Sequence, residues 1–197
     1  MLTALPFGHT HGLVTATLRE HHEIDAGDDA LLAQIRSGDS QAFEQLFRRY
    51  AEPLYDCAYG YVGSRDVAQE VVQQLFVTLW ERRRVWQVSG TVVTYLYRAV
   101  RNGSLNALRD DRRRVPLKER VCEAPGIEQE LEAADLARAV ARIVTRLPER
   151  CREVFRLNRY HHLTYAEVAQ VLNLSVKTVE LHMARALREL RARVKAD

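Results

Sequence analysis

Cysteine is scarce and poorly placed for chemistry: Cys57, Cys122 and Cys151 are the three in 197 residues, far apart and without a C-x-x-C pair. An odd, dispersed set argues against a disulfide framework or a zinc site and fits reduced thiols in a cytoplasmic protein. Proline and glycine are also few, five and nine residues, which excludes a Pro/Gly-rich low-complexity chain and leaves room for long helices. No stretch approaches the roughly 18 apolar residues of a membrane span, and the N-terminus lacks a basic segment followed by an apolar run, so no membrane insertion is expected. A glycine-rich phosphate loop, a paired-carboxylate motif and a nucleophile elbow are all missing, which argues against an enzyme and leaves no catalytic residue to name. His161-His162 reads as a helix end. A large charge excess is lacking as well: 29 Lys and Arg face 26 Asp and Glu, for a net +3. Any contact with nucleic acid must therefore rest on local basic patches.

What is present is core material, 47% hydrophobic residues against 28% charged, enough for two small domains. Residues 1–27 show no sustained hydrophobic period and read as a disordered tail. Its histidines, His9, His11, His21 and His22, are not expected to hold a metal, and no cofactor is expected elsewhere. From Asp28 helical spacing begins with Leu31, Leu32 and Ile35, and Gly38-Asp39-Ser40 ends one helix and caps the next. Ala42, Phe43, Leu46, Phe47, Tyr50, Leu54, Cys57, Ala58 and Tyr61 then form a second helical stripe, with Pro53 expected to bend it. A third helix is predicted over 65–83, with Val67, Val71, Leu75, Val77, Leu79 and Trp80 available for burial. A fourth, over 91–109, carries Val92, Tyr95, Leu96, Ala99, Leu105 and Leu108 on its apolar side. Residues 111–130, with Arg112-Arg113-Arg114, Pro116, Pro125 and Gly126, have the composition of a linker. Periodicity resumes through Leu131, Leu136, Val140 and Ile143, and Pro148 is well placed to start another helix. The expected fold is all-α: two small helical domains, 28–110 and 131–197, joined by a flexible linker at 111–130, the second a helix-turn-helix.

That motif is written out in the last third of the chain. Thr164-Tyr165-Ala166-Glu167 is a capping box, in which Thr and Glu satisfy each other's backbone amides at a helix start. Val168, Ala169 and Leu172 face inward, Asn173 tolerates the left-handed turn, and Ser175 caps a final helix whose inner stripe is Val176, Val179, Met183, Ala186, Leu187 and Leu190. Its outer face presents Lys177, Thr178, Glu180, Leu181, His182, Arg185 and Arg188, where a recognition helix meets base edges and phosphates. Residues 176–197 hold six Lys or Arg against three Asp or Glu. A solvated surface helix would account for those charges but not for the two caps and the turn at these spacings. A second basic cluster, Arg98, Arg101, Arg109 and Arg112 to Arg114, is interleaved with Tyr95, Tyr97, Asn102 and Asn106. Such residues can neutralise phosphate, read base edges and stack on unpaired bases, although the cluster taken alone reads as a solvated helical face.

Over residues 28–195 the chain resembles the extracytoplasmic-function sigma factors of bacteria. Four blocks carry the resemblance: Asp39-Ser40-Gln41-Ala42-Phe43 with Leu46 to Tyr50; Ala68 to Phe76 with Leu79-Trp80; Tyr95 to Asn102 with Leu105 to Arg109; and Leu147-Pro148-Glu149 through Thr164 to Arg191. The resemblance implies core RNA polymerase and promoter DNA as partners, together with an anti-sigma factor that holds the protein inactive. It implies that Glu70, Gln73, Gln74, Phe76 and Trp80 contact polymerase, and that Tyr95, Arg98, Arg101, Asn102, Asn106 and Arg109 open and hold the minus-10 element. It implies that the helix-turn-helix holds the minus-35 element. Glu70 and Gln74 stand where members often carry Asp and an acidic residue, and His182 stands where many carry Arg. The rival reading is a two-domain helix-turn-helix regulator that binds an operator without polymerase.

Overall fold

The computed structural model describes residues 27–88, 90–114 and 140–194, and every regular element among the described residues is a helix. The histidines of the tail, Cys122 and most of the expected linker lie outside the described residues. In chain order the helices are α1 (27–37), α2 (Ser40–Val62), α3 (Arg65–Glu81), α4 (Val92–Arg114), α5 (described over 140–145), α6 (Glu149–Arg159), α7 (Tyr165–Leu172) and α8 (Val176–Val194).

The N-terminal unit is built on α2, whose buried stripe is Ala42, Leu46, Tyr50, Leu54, Cys57, Ala58 and Val62. Gly38 turns the chain at φ 98°, and Asp39 accepts from the amides of Gln41 and Ala42 at 2.8 and 3.2 Å. These bonds satisfy donors that a helix start leaves orphaned. Gly63, left-handed at φ 65°, closes the other end by donating to the Tyr59 carbonyl at 2.8 Å. Helix α2 runs unbroken through Pro53. The buried Asp28 carboxylate accepts from Arg49 and from the Tyr50 hydroxyl, tying α1 onto α2. Burial pushes that carboxyl up, against the pull of Tyr50 and Arg49.

Three expectations about helix faces and ends are corrected. The buried stripe of α3 is Ala68, Val72, Phe76 and Leu79, while Val77 is 50% exposed. Helix α3 meets both α2 and α4, so Val67, Val71 and Leu75 are also partly buried against the core and of the expected residues only Val77 is exposed. On α8, Val176 is exposed, because the first turn projects beyond the body of the domain, and the core begins at Val179. Helix α4 continues through Arg114 instead of ending at 109. Nothing between 109 and 114 breaks a helix, and arginine is a good helix former.

In the C-terminal unit, α6 enters at Pro148, and α7 and α8 close over it, burying Leu147, Cys151, Val154, Leu157, Leu163, Val168, Val171, Met183 and Ala186. His161-His162 ends α6 as expected, with His162 in the left-handed region at φ 56°. The two units touch: α4 lies against α7, and α6 reaches the end of α2.

Candidate nucleic-acid interface

The helix-turn-helix is specified locally. The Thr164 hydroxyl accepts from the Glu167 amide at 3.3 Å, and the Glu167 carboxylate accepts from the Thr164 amide at 2.7 Å, completing the capping box. Asn173 takes the left-handed conformation at φ 55°, and Leu174 donates back to the Ala169 carbonyl at 2.9 Å. Ser175 Oγ accepts from the Thr178 amide at 3.1 Å and starts α8. Each cap contributes about 1 kcal/mol. Together with the inner row of Val179, Met183, Ala186 and Leu190, they fix which way the other side of α8 faces.

That side is open. Lys177, Glu180, Leu181, Arg185 and Arg188 are exposed, and Thr178 and His182 are half-buried. Leu181, 64% exposed, is a large apolar side chain in the middle of a charged row. His182 leans inward, its Nδ1 3.6 Å from Cys151 Sγ.

The residues expected at the minus-10 element all lie on α4 but differ in what they touch. Asn102, Asn106 and Arg109 are exposed, with Arg109 donating to the Asn106 side chain. Arg98 and Arg101 are instead engaged by the C-terminal unit. Arg98 donates through Nε to the Gln170 carbonyl at 3.1 Å, and Arg101 Nε meets Glu153 Oε1 at 2.9 Å. The Arg101 and Glu153 side chains are only 14% and 8% exposed. Tyr95 is half-buried, its ring 5.5 Å from that of Trp86.

Of the residues expected to face polymerase, Glu70, Gln73 and Gln74 are exposed on one side of α3, and Trp80 is half-buried between the Phe43 ring, 5.0 Å away, and the Arg83 guanidinium, at 4.3 Å. Phe76 is corrected. It is 3% exposed, with its ring 6.0 Å from Phe43 and 4.8 Å from Phe47, so it belongs to the core beneath the polar face. The exposed apolar residues on this side are Phe47 and Val77.

Sequence reasoning missed the seam between the units. Glu153 accepts from Arg101, from the Tyr61 hydroxyl at 3.2 Å and from Arg150 at 3.0 Å. Arg156 donates to the Gly60 carbonyl, and the His161 ring stands 5.4 Å from that of Tyr97. Burial first, then the charges of Arg156 and His162, hold His161 down at about 4. Burial also pushes the Tyr97 and Tyr61 hydroxyls upward. One signal was available: Gly60 inside a long helix, where a glycine is unfavourable unless something must come close. No cluster of three or more metal-ligating side chains occurs among the described residues, and no described helix is long and apolar enough to cross a membrane.

Two family models match the chain, Sigma-70 region 2 over residues 46–114 and Sigma-70 region 4 over 137–190. The ECF RNA polymerase sigma-E factor of Escherichia coli K12 is 28% identical over 172 residues, covering 81% of this chain and 90% of the relative. Among solved structures, CnrH in complex with the cytosolic domain of CnrY superposes with a TM-score of 0.65 at 29% identity, over 87% of this chain and 99% of that one. The sigma factor RpoE, solved with the anti-sigma factor NepR from Bartonella quintana, shares the fold at a TM-score of 0.62 and 19% identity, over 79% of this chain and 98% of that one.

Proposed function

Since the chain belongs to the extracytoplasmic-function subfamily of bacterial sigma-70 factors and so binds core RNA polymerase and directs promoter-specific initiation, we propose that it does so with α3, α4 and α8 as its three working surfaces. The exposed side of α3, with Glu70, Gln73, Gln74 and the edge of Trp80, docks on polymerase. Helix α8 enters the major groove of the minus-35 element, Lys177, Arg185 and Arg188 neutralising phosphates while Thr178, Glu180, Leu181 and His182 face base edges. Helix α4 holds the minus-10 element as it melts. Asn102 and Asn106 offer paired donors and acceptors to base edges, Arg98, Arg101 and Arg109 offer charge to the backbone, and Tyr95 offers a ring for stacking. Stacking returns roughly 1–3 kcal/mol per base and offsets the loss of pairing.

The observation that carries this assignment is the open basic face of α8, held by a complete capping box and a left-handed Asn173 on a chain that also matches Sigma-70 region 2. The protein carries out no chemistry of its own and works in the cytoplasm beside its polymerase. An anti-sigma partner is part of the same reading, supported by the anti-sigma factor bound to the RpoE neighbour.

Run-off transcription with purified protein, core polymerase and a promoter library tests the assignment through Arg185→Ala and Asn102→Ala. Promoter-specific transcripts that weaken in both variants support it, in Asn102→Ala by about tenfold or more, the scale of one lost base contact of about 1–3 kcal/mol. Silent polymerase with a protein that alone still shifts duplex DNA would instead favour an operator-binding regulator.

A further inference from the structure

On the outer face of α8 the polar side chains differ in how firmly they are held. Lys177, Glu180, Arg185 and Arg188 extend into solvent, and the Thr178 hydroxyl pairs with Ser175 Oγ at 2.8 Å as part of the helix cap. His182 is anchored to another helix. Its Nδ1 lies 3.6 Å from the sulfur of Cys151, in the first turn of α6, within reach of a hydrogen bond to sulfur. Cys151 is 1% exposed and α6 packs along α8, so the imidazole is pinned on the α6 side of the recognition helix.

The direction of that bond follows from the two atoms. A thiol is weak both as donor and as acceptor. An unprotonated imidazole nitrogen is a good base and a neutral sulfur a poor one, so the stronger pairing has S–H donating to Nδ1. Burial pushes the Cys151 thiol up, against the pull of Arg185, and the sulfur keeps its proton at neutral pH. With Nδ1 as acceptor, the neutral ring carries its hydrogen on Nε2. Nε2 lies on the far side of the ring from Cys151, and among the described residues it has no hydrogen-bond partner.

We propose that His182 reads a purine in the minus-35 element, and that Cys151 is the positioning residue for it, holding the ring with Nε2–H turned towards the major groove. The proposal rests on the sigma-factor reading for the DNA element, whereas the pairing of Cys151 with His182 does not. A single donor fits N7, the acceptor that guanine and adenine share at the major-groove edge. Thymine offers O4 beside its methyl group, and cytosine offers a donor. The contact therefore asks for a purine at one position without telling guanine from adenine. A forked arginine, by contrast, spans O6 and N7 of guanine together.

The first test is the wild-type ring itself. Nitrogen NMR of the isotope-labelled full chain at about pH 8, where histidines in general are neutral, is assigned with His182→Gln. It should show His182 protonated on Nε2 and bare on Nδ1. Cys151→Ala should admit the second tautomer, and Cys151→Ser, which keeps a donor, should restore the first. The second test uses holoenzyme assembled with core polymerase on a promoter from the run-off library. Each purine of the minus-35 element is replaced in turn by its 7-deaza form, which exchanges N7 for carbon. One replacement should weaken wild-type binding by about two- to tenfold, the scale of one neutral hydrogen bond. The same replacement should cost His182→Ala nothing, and should cost Cys151→Ala less than either wild type or Cys151→Ser. A ring protonated on Nδ1, a tautomer indifferent to residue 151, or an equal penalty in wild type and Cys151→Ala would overturn the positioning role. A wild type indifferent to every deaza replacement would overturn the base contact, and a methylphosphonate that then weakens wild type but not His182→Ala would give the donor to a phosphate. Failure of every form to bind any promoter would strike at the sigma-factor reading, while the spectra would still decide the pairing.

Discussion

Helices α4 and α8 are both long, both basic and both assigned to DNA, yet they hold their charge differently. On α8, Lys177, Arg185 and Arg188 point into solvent from a helix fixed wholly by its own domain. On α4, Arg98 and Arg101 already have acceptors, and those acceptors belong to the other domain. Equal composition therefore conceals unequal availability, because the α8 face depends on local folding and the α4 face depends on where a neighbour sits.

The largest effect that separates the two comes from Met183→Ala, which empties a site 1% exposed beneath α8. We expect a loss of about 2–5 kcal/mol, seen in thermal unfolding as early melting of the C-terminal domain. Minus-35-dependent transcripts should vanish while the N-terminal domain still associates with polymerase. Next, Arg185→Ala should weaken the free chain on duplex about equally whatever the minus-35 sequence and reduce the salt slope by about one. Arg101→Ala should leave that same measurement unchanged, because its charge is paired with Glu153, and show its cost only in open-complex formation.

The third effect is pH dependence. His161 is held at about 4, below its ordinary value near 6.5, chiefly by burial. A base depressed by packing stabilises the packed form fully above pH 6.5 and loses that contribution progressively as pH falls towards 4. Denaturant unfolding at pH 7 and 4.5 should therefore differ through this group by roughly 1–3 kcal/mol, and His161→Gln should flatten the slope. The raised carboxyls of Asp28 and Asp56 act in the opposite sense, so the diagnostic quantity is wild type minus variant. The smallest effect sharpens the α8 side. An exposed Leu181 in the groove is suited to a thymine methyl, so replacing thymine with uracil at one minus-35 position should cost about 0.8 kcal/mol, about fourfold in binding. The same exchange against Leu181→Ala should cost nothing.

The readable parts of the molecule were those with a local signal. Thr164 with Glu167, Asn173, Ser175, Asp39 and Gly63 act within four residues of themselves, and each cap or turn formed as its residue type requires. On α3 only Val77 was misplaced, since Leu79 is buried and Val67, Val71, Leu75 and Trp80 are partly so on a helix that packs against two others. A period alone cannot choose between the row of Ala68, Val72 and Phe76 and the neighbouring row that contains Val77. Phe76 entered the polymerase-facing set through the family resemblance of its block, which does not tell buried from exposed side chains. The seam was out of reach for a different reason: its bonds join residues 52 to 96 apart, and its acceptors at Gly60 and Gln170 are backbone carbonyls, which every residue possesses.

Cys57 offers a way to time the molecule. Its thiol is 2% exposed and burial pushes it up to about 12. It lines a cavity of about 140 Å³ at the seam together with Tyr61, Leu105, Glu153, Arg156 and His161. At neutral pH such a sulfur is almost inert towards disulfide reagents. The rate at which it is modified thus becomes a clock for domain parting, read from the unlabelled native chain, and polymerase should make that clock run faster.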